Sequence, residues 1–127
     1  MLLRDLRSLA ETARDDYLRD RRLHAQAERW LQLAAECVLD IAHHLIADRG
    51  WRTPSSYRDA IGVLAESGAL DEELASQLVR WAGLRNVLVH VYIDIDHERI
   101  FEILQSDLDQ LQRFAEAVTR TVSDGPA

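Results

Sequence analysis

Residues 21–49, RRLHAQAERWLQLAAECVLDIAHHLIADR, form the longest helical pattern in the chain and decide its fold class. Apolar residues recur there at spacings of three and four, which places them on one face of a helix. That face contains Ala27, Trp30, Leu31, Ala34, Val38, Ile41, Ala42 and Leu45. Asp20 is a typical N-cap residue and Gly50 a typical helix terminator, so we expect one helix over residues 21–49.

Four more helices are predicted on the two sides of this segment. The first covers residues 2–18, with the apolar stripe Leu2, Leu6, Leu9, Ala13 and Tyr17. Ser55 or Ser56 caps a third helix that ends near residue 67. Asp71 caps a fourth, and Asp96 caps a fifth that continues to about residue 122. Because no hairpin signal is present, the chain predicts an all-α, up-and-down bundle of about five helices.

Composition indicates one domain over residues 1–127, with about residues 123–127 as a frayed tail. No apolar run approaches the roughly 18 residues that a membrane span needs, and the N-terminus lacks the apolar core of a secretory signal. The single cysteine, Cys37, excludes an internal disulfide and a multi-cysteine zinc site. We therefore expect a cytoplasmic protein that does not associate with membranes.

The formal net charge of −7 argues against a broad, non-specific coat of nucleic acid, because phosphates would be repelled. A local basic cleft remains compatible with this charge. All 15 basic residues are arginine, and the densest group lies within residues 14–22. We interpret that group as a solvated face and as a secondary candidate for steering RNA or docking a partner.

The octapeptide RNVLVHVY, residues 85–92, sets three polar side chains in an apolar run. Arg85, Asn86 and His90 are costly to bury unless something pairs with them or uses them. A permanent cation beside a group that titrates near neutral pH suits chemistry at a phosphate. Residues 84–91 are apolar nearly all round as a helix, which predicts that a second copy of the chain covers part of them.

The spacing of these residues leaves alternatives open. Five residues along an ideal helix give about 140° of rotation and 7.5 Å of rise, so Arg85 and His90 do not stack on one face. Across a two-fold axis, each arginine could instead meet the histidine of the other copy. The triplet also fits a buried polar network that only fixes dimer register. Asp40 with His44, and the acidic residues 94–98, are read as helix charges rather than metal ligands.

The pattern R-x-x-x-x-H-x-Y, with Asn86 after the arginine, resembles the HEPN superfamily and specifically its HepT toxin branch. The segments LDIAHHLI (39–46) and PSSYRD (54–59) are similar to the second-helix and loop segments of that family. The Ile93-Asp94 continuation also fits. The resemblance therefore covers essentially the whole chain.

This resemblance implies a homodimeric, HEPN-like ribonuclease toxin that requires neither a metal nor another cofactor. It implies a toxin–antitoxin partner of the minimal nucleotidyltransferase (MNT) type. Arg85 and His90 would carry RNA cleavage with support from Asn86, and Tyr92 would receive AMP that the partner takes from ATP. The alternative is a non-catalytic helical subunit that binds nucleotide or presents substrate to a nucleotidyltransferase. A pure dimerisation module is a third interpretation.

Overall fold

The computed structural model describes residues 2–90 and 94–124, and these residues contain seven α-helices and no strand. The helices are α1 (Leu2–Ala10), α2 (Arg14–Arg19), α3 (Arg21–Arg49), α4 (Tyr57–Glu66), α5 (Glu72–Leu88), α6 (His97–Ser106) and α7 (Leu108–Ser123). The all-α class is therefore confirmed. Within the same ranges, no helix is both long and apolar enough to cross a bilayer.

Helix α3 is the central element, and both of its predicted ends are confirmed. The Asp20 carboxylate accepts a hydrogen bond from the Arg22 amide at 2.9 Å, which caps the first turn. Gly50 has a φ of 67°, in the left-handed region that favours glycine, and terminates the helix. Most of the predicted apolar face of α3 lies in the core and packs against α1, α4 and α5, but the prediction is wrong for Ile41, which is 42% exposed. Helix α3 therefore supports every other long helix.

Two predicted helices are each divided, so the described chain has more helices than the expected five or so. The predicted helix over residues 2–18 is interrupted after α1, where Ala13 adopts extended backbone with φ −63° and ψ 142°. This bend lets Leu6 and Tyr17 both become fully buried although they lie on different helices. The predicted fifth helix is divided at Asp107, which separates α6 from α7. Apolar periodicity continues across both bends and therefore does not reveal them.

Helix α5 is fixed in the bundle from two sides. Its Trp81 is 2% exposed and donates its indole N–H to the Gln110 side-chain oxygen of α7 at 2.9 Å. At its N-terminus the Asp71 carboxylate accepts from the Leu74 amide at 2.7 Å, as the sequence predicted for this cap. A buried indole N–H with a partner avoids the cost of an unsatisfied donor. The end of α5 therefore projects from a firmly packed helix.

Candidate active site

The polar residues of the octapeptide lie at the C-terminal end of α5. The helix ends at Leu88, and the Val89 amide donates to the Arg85 carbonyl at 3.1 Å. The His90 amide donates to the Val87 carbonyl at 3.2 Å, so the chain turns more tightly there than in an α-helix. The expected helical continuation over residues 84–91 is thus wrong at Val89 and His90, and Val91 lies outside the described residues. Val87 and Val89 are β-branched and have low helix propensity, which gives the physical reason.

Arg85 faces the central helix. Its Nε lies 3.8 Å from Oε1 of Glu36 in α3, and 37% of its side chain is exposed. This distance is that of an ion pair and is too long for a hydrogen bond. The Nε atom is shielded from solvent and has no hydrogen-bond partner among residues 2–90 and 94–124. Charge attraction, rather than a hydrogen bond, therefore holds this part of the guanidinium against α3.

Two further polar side chains surround this ion pair. The Gln32 amide, one turn before Glu36 on α3, donates to Glu36 Oε1 at 3.2 Å. Tyr57 of α4 donates its hydroxyl to the Ala35 carbonyl at 2.6 Å. Burial raises the pKa of the Tyr57 phenol above its usual range, and the positive charge of Arg85 opposes that rise. Helices α3, α4 and α5 therefore converge at Arg85.

The remaining octapeptide residues are placed differently. Asn86 and His90 are exposed at the end of α5, whereas Arg85 is partly covered by α3. The predicted modification residue, Tyr92, lies outside the described residues. The exposed valines beside the histidine, Val87 and Val89, keep 39% and 38% of their surface in solvent. Two exposed valines at one helix end are consistent with the predicted dimer contact, which stays a prediction.

The start of α6 is also anchored on α3. The Asp96 carboxylate accepts from the Glu98 and Arg99 amides, as predicted for this cap. The His97 ring stacks on His24 of α3, with centroids 3.7 Å apart, and its Nδ1 lies 3.8 Å from Glu28 Oε2. Helix α5 precedes the segment that contains His90 and Tyr92, and α6 follows it. Both helices therefore contact α3.

An open groove of about 420 Å³ lies between α5 and α6. Its walls are mainly apolar, and its charged lining residues are Arg80, Arg99, Asp94, Asp96 and Asp107. Arg85 and His90 do not line it. In the described part of the chain, no three His, Cys, Asp or Glu side chains are grouped so that they could hold a metal ion. The end of α5 carries a cation, an amide and an imidazole, on Arg85, Asn86 and His90.

Sequence reasoning did not identify Glu36 or Gln32 as neighbours of the motif. Both lie beside the apolar stripe of α3, where charged and amide side chains are common on a solvated face. The available signal is the four-residue spacing of Glu28, Gln32 and Glu36, which puts three polar residues in one row on the helix. The spacing places these residues in one row along α3, but it does not indicate which other helix packs against that row.

Comparison with known proteins matches the chain to one family of ribonucleases. A family model described as "Ribonuclease HepT-like" matches residues 2–118. A tRNA nuclease HepT of Aphanizomenon flos-aquae is 34% identical over 83% of this chain and 71% of that protein. An mRNA nuclease HepT of Shewanella oneidensis is 28% identical over 69% of this chain and 66%, slightly under two thirds, of that protein.

The fold also matches a solved complex. A structure of the tri-AMPylated Shewanella oneidensis HEPN toxin in complex with an MNT antitoxin superposes with a TM-score of 0.82. The match covers 94% of this chain and 92% of that chain, at 23% sequence identity. This similarity shows that the two chains share a fold.

Proposed function

The chain belongs to the HepT-like ribonuclease family, and on this premise we propose that it is a ribonuclease toxin that cleaves RNA at a site formed by Arg85 and His90. The observation that carries the proposal is the position of both residues at one accessible end of α5. Arg85 supplies a permanent positive charge and His90 supplies a proton acceptor and donor. Asn86 supports them by hydrogen bonding to the imidazole or to a phosphate.

The reaction uses a nucleophile that RNA itself carries. His90 removes the proton of the 2′-hydroxyl, and the 2′-oxygen forms a bond to the adjacent phosphorus. The bond from phosphorus to the 5′-oxygen breaks, and His90 of a second protomer gives the leaving oxygen a proton. Arg85 stabilises the charge that builds on the non-bridging oxygens. The products are a 2′,3′-cyclic phosphate and a 5′-hydroxyl.

A homodimer is part of this proposal. One copy of the chain has a single octapeptide, and the reaction described above requires one histidine as base and another as acid. The exposed Val87 and Val89 lie at the helix end that carries His90, where a second copy would cover them. A two-fold axis near this end would place two octapeptides together.

Cleavage in the presence of EDTA tests the proposed chemistry. We expect the purified protein to cleave a single-stranded RNA at the same rate with and without the chelator, because no step requires a metal or other cofactor. The same sequence made with 2′-deoxyribose should remain intact because it lacks the nucleophile. Gel analysis and end labelling would show the fragments and the cyclic phosphate. Loss of cleavage in EDTA, or comparable cleavage of the deoxy substrate, would contradict the mechanism.

We also propose that an MNT-type nucleotidyltransferase partner inactivates the protein by transferring AMP from ATP to Tyr92. The shared fold of the tri-AMPylated toxin in its antitoxin complex supports this partner class. Tyr92 follows His90 by two residues in the sequence. An anionic AMP group so close in sequence to the histidine would repel RNA phosphates and occupy space, by the same physics as phosphorylation.

Substitution of Tyr92 tests this regulation. When wild type is co-expressed with the nucleotidyltransferase, intact-mass spectrometry should show added AMP units and RNA cleavage should be lost. Tyr92→Phe should stay unmodified and active, because phenylalanine has no acceptor hydroxyl. Tyr17→Phe is the matched control, since Tyr17 is fully buried, and it should be modified like wild type. A Tyr92→Phe protein that is still fully modified and silenced would refute the assignment.

A further inference from the structure

Three residues on one side of α3 form a polar row that connects the two flanks of the motif. We call Glu28, Gln32 and Glu36 the polar row. At one end Glu28 pairs with His97 at 3.8 Å, and at the other end Glu36 pairs with Arg85 at 3.8 Å. Gln32 lies between them and donates to Glu36 at 3.2 Å. The end of α5 and the start of α6 therefore both contact carboxylates of the same helix.

The contact between Glu36 and Arg85 involves only the inner end of the guanidinium. The nitrogen nearest to the carboxylate is Nε, next to the side-chain stem. A guanidinium has five N–H donors, so engagement at Nε leaves the donors on the two terminal nitrogens for phosphate oxygens. Gln32 restricts the carboxylate by bonding to the same oxygen that faces Arg85. The carboxylate thus has a fixed position from which it can direct Arg85.

This ion pair is poorly suited to a purely stabilising role. Both side chains are about one-third exposed, at 37% for Arg85 and 34% for Glu36. Exposed pairs contribute little to folding because solvent screens the charges and ordering the side chains costs entropy. The Nε atom also lacks a hydrogen bond within the described ranges, although it is shielded from water. Contacts of catalytic groups are often long without substrate and shorten when substrate binds.

We propose that Glu36 is a positioning residue for RNA cleavage, which orients Arg85 toward the scissile phosphate. The proposal rests on the proposed ribonuclease function. Glu36 does not touch RNA in this arrangement, and it acts through Arg85. It should therefore affect the rate of the chemical step more than the binding of RNA, since a carboxylate beside the phosphate site does not favour binding.

The test compares Glu36→Gln in two backgrounds. Against wild type, we expect kcat to fall about tenfold, by analogy with the lower end of the losses seen when a partner that orients a metal-binding side chain is removed. KM for RNA should not rise, because the substitution removes a negative charge near the phosphate. In the Arg85→Ala background, Glu36→Gln should cause no further loss in single-turnover rate. Asp48→Asn, an exposed carboxylate on the same helix, is the matched control and should behave as wild type.

The outcomes separate this inference from the ribonuclease assignment. Absence of RNA cleavage by wild type contradicts the proposed function itself. If wild type cleaves RNA and Glu36→Gln has the wild-type kcat, the positioning role is wrong. Equal losses in both backgrounds would also overturn it, because Glu36 would then act independently of Arg85. Glu36→Asp keeps the charge on a shorter side chain and should recover part of kcat. If Glu36 had only a structural role, the loss of kcat in each variant would instead parallel the drop in its thermal midpoint.

Discussion

Replacing Arg85 with alanine is expected to reduce RNA cleavage by about 10²–10³-fold, the loss typical of removing one preorganised donor to a transition-state charge. The fold should persist. The guanidinium is partly exposed and its pair with Glu36 is long, so its removal should lower the free energy of unfolding by about 1 kcal/mol or less. The relevant measurements are kcat/KM on a defined RNA and the thermal midpoint of both proteins.

Arg80→Ala provides the matched control for this prediction. Arg80 is an exposed arginine on the same helix that lines the groove between α5 and α6. A loss of cleavage that is as large for Arg80→Ala as for Arg85→Ala would indicate general electrostatic attraction of RNA instead of a specific role. Inducible expression in a bacterium adds a second readout. Growth arrest by wild type but not by Arg85→Ala supports the toxin, and equal arrest by both proteins rejects the site.

The same comparison discriminates the three functional interpretations that the sequence allowed. A non-catalytic subunit of a nucleotidyltransferase would bind its partner but would show no RNA cleavage in wild type or in either variant. A dimerisation module would need the polar triplet for assembly, so Arg85→Ala would change the molecular mass in solution. The proposed ribonuclease should keep its mass and lose its activity.

The sequence predicted those parts of the fold that depend on local signals. Asp20, Ser56, Asp71 and Asp96 all act as helix caps, because a short polar side chain bonds to the amides of the next turn regardless of the tertiary structure. The interruption at Ala13 has no such signal. It arises because two short helices bury Leu6 and Tyr17 better than one straight helix, which is a property of the assembled core.

In the candidate site, too, local features could be predicted from the sequence and features that depend on tertiary packing could not. The motif residues were selected from the sequence because polar side chains in an apolar run are unusual and because the pattern resembles the HepT branch, and their roles stay a prediction. The environment of Arg85 could not be identified, since it comes from Glu36 on a distant part of the chain and depends on how α3 and α5 are packed. The early end of α5 also follows from a balance between weak helix propensity and packing that periodicity does not measure.

Replacing His90 with alanine is expected to lower kcat by about 10²–10⁴-fold, the usual contribution of general acid–base catalysis. The effect should lie toward the upper end, because a symmetric dimer loses both its base and its acid in one substitution. His90 is exposed beyond the end of α5, so the thermal midpoint should change little. His44→Ala, at an exposed position on α3, is the control and should retain activity.

A mixed dimer makes the histidine prediction specific. Wild type and a tagged His90→Ala protein are co-expressed, and the heterodimer is purified through the tag. If one histidine from each protomer serves a shared cleft, the heterodimer keeps a base or an acid but not both, and its rate should fall far below half of the wild-type rate. If each protomer cleaves RNA alone, the heterodimer should keep half of the wild-type rate. Half activity would therefore contradict the composite site while leaving the role of His90 within one protomer intact.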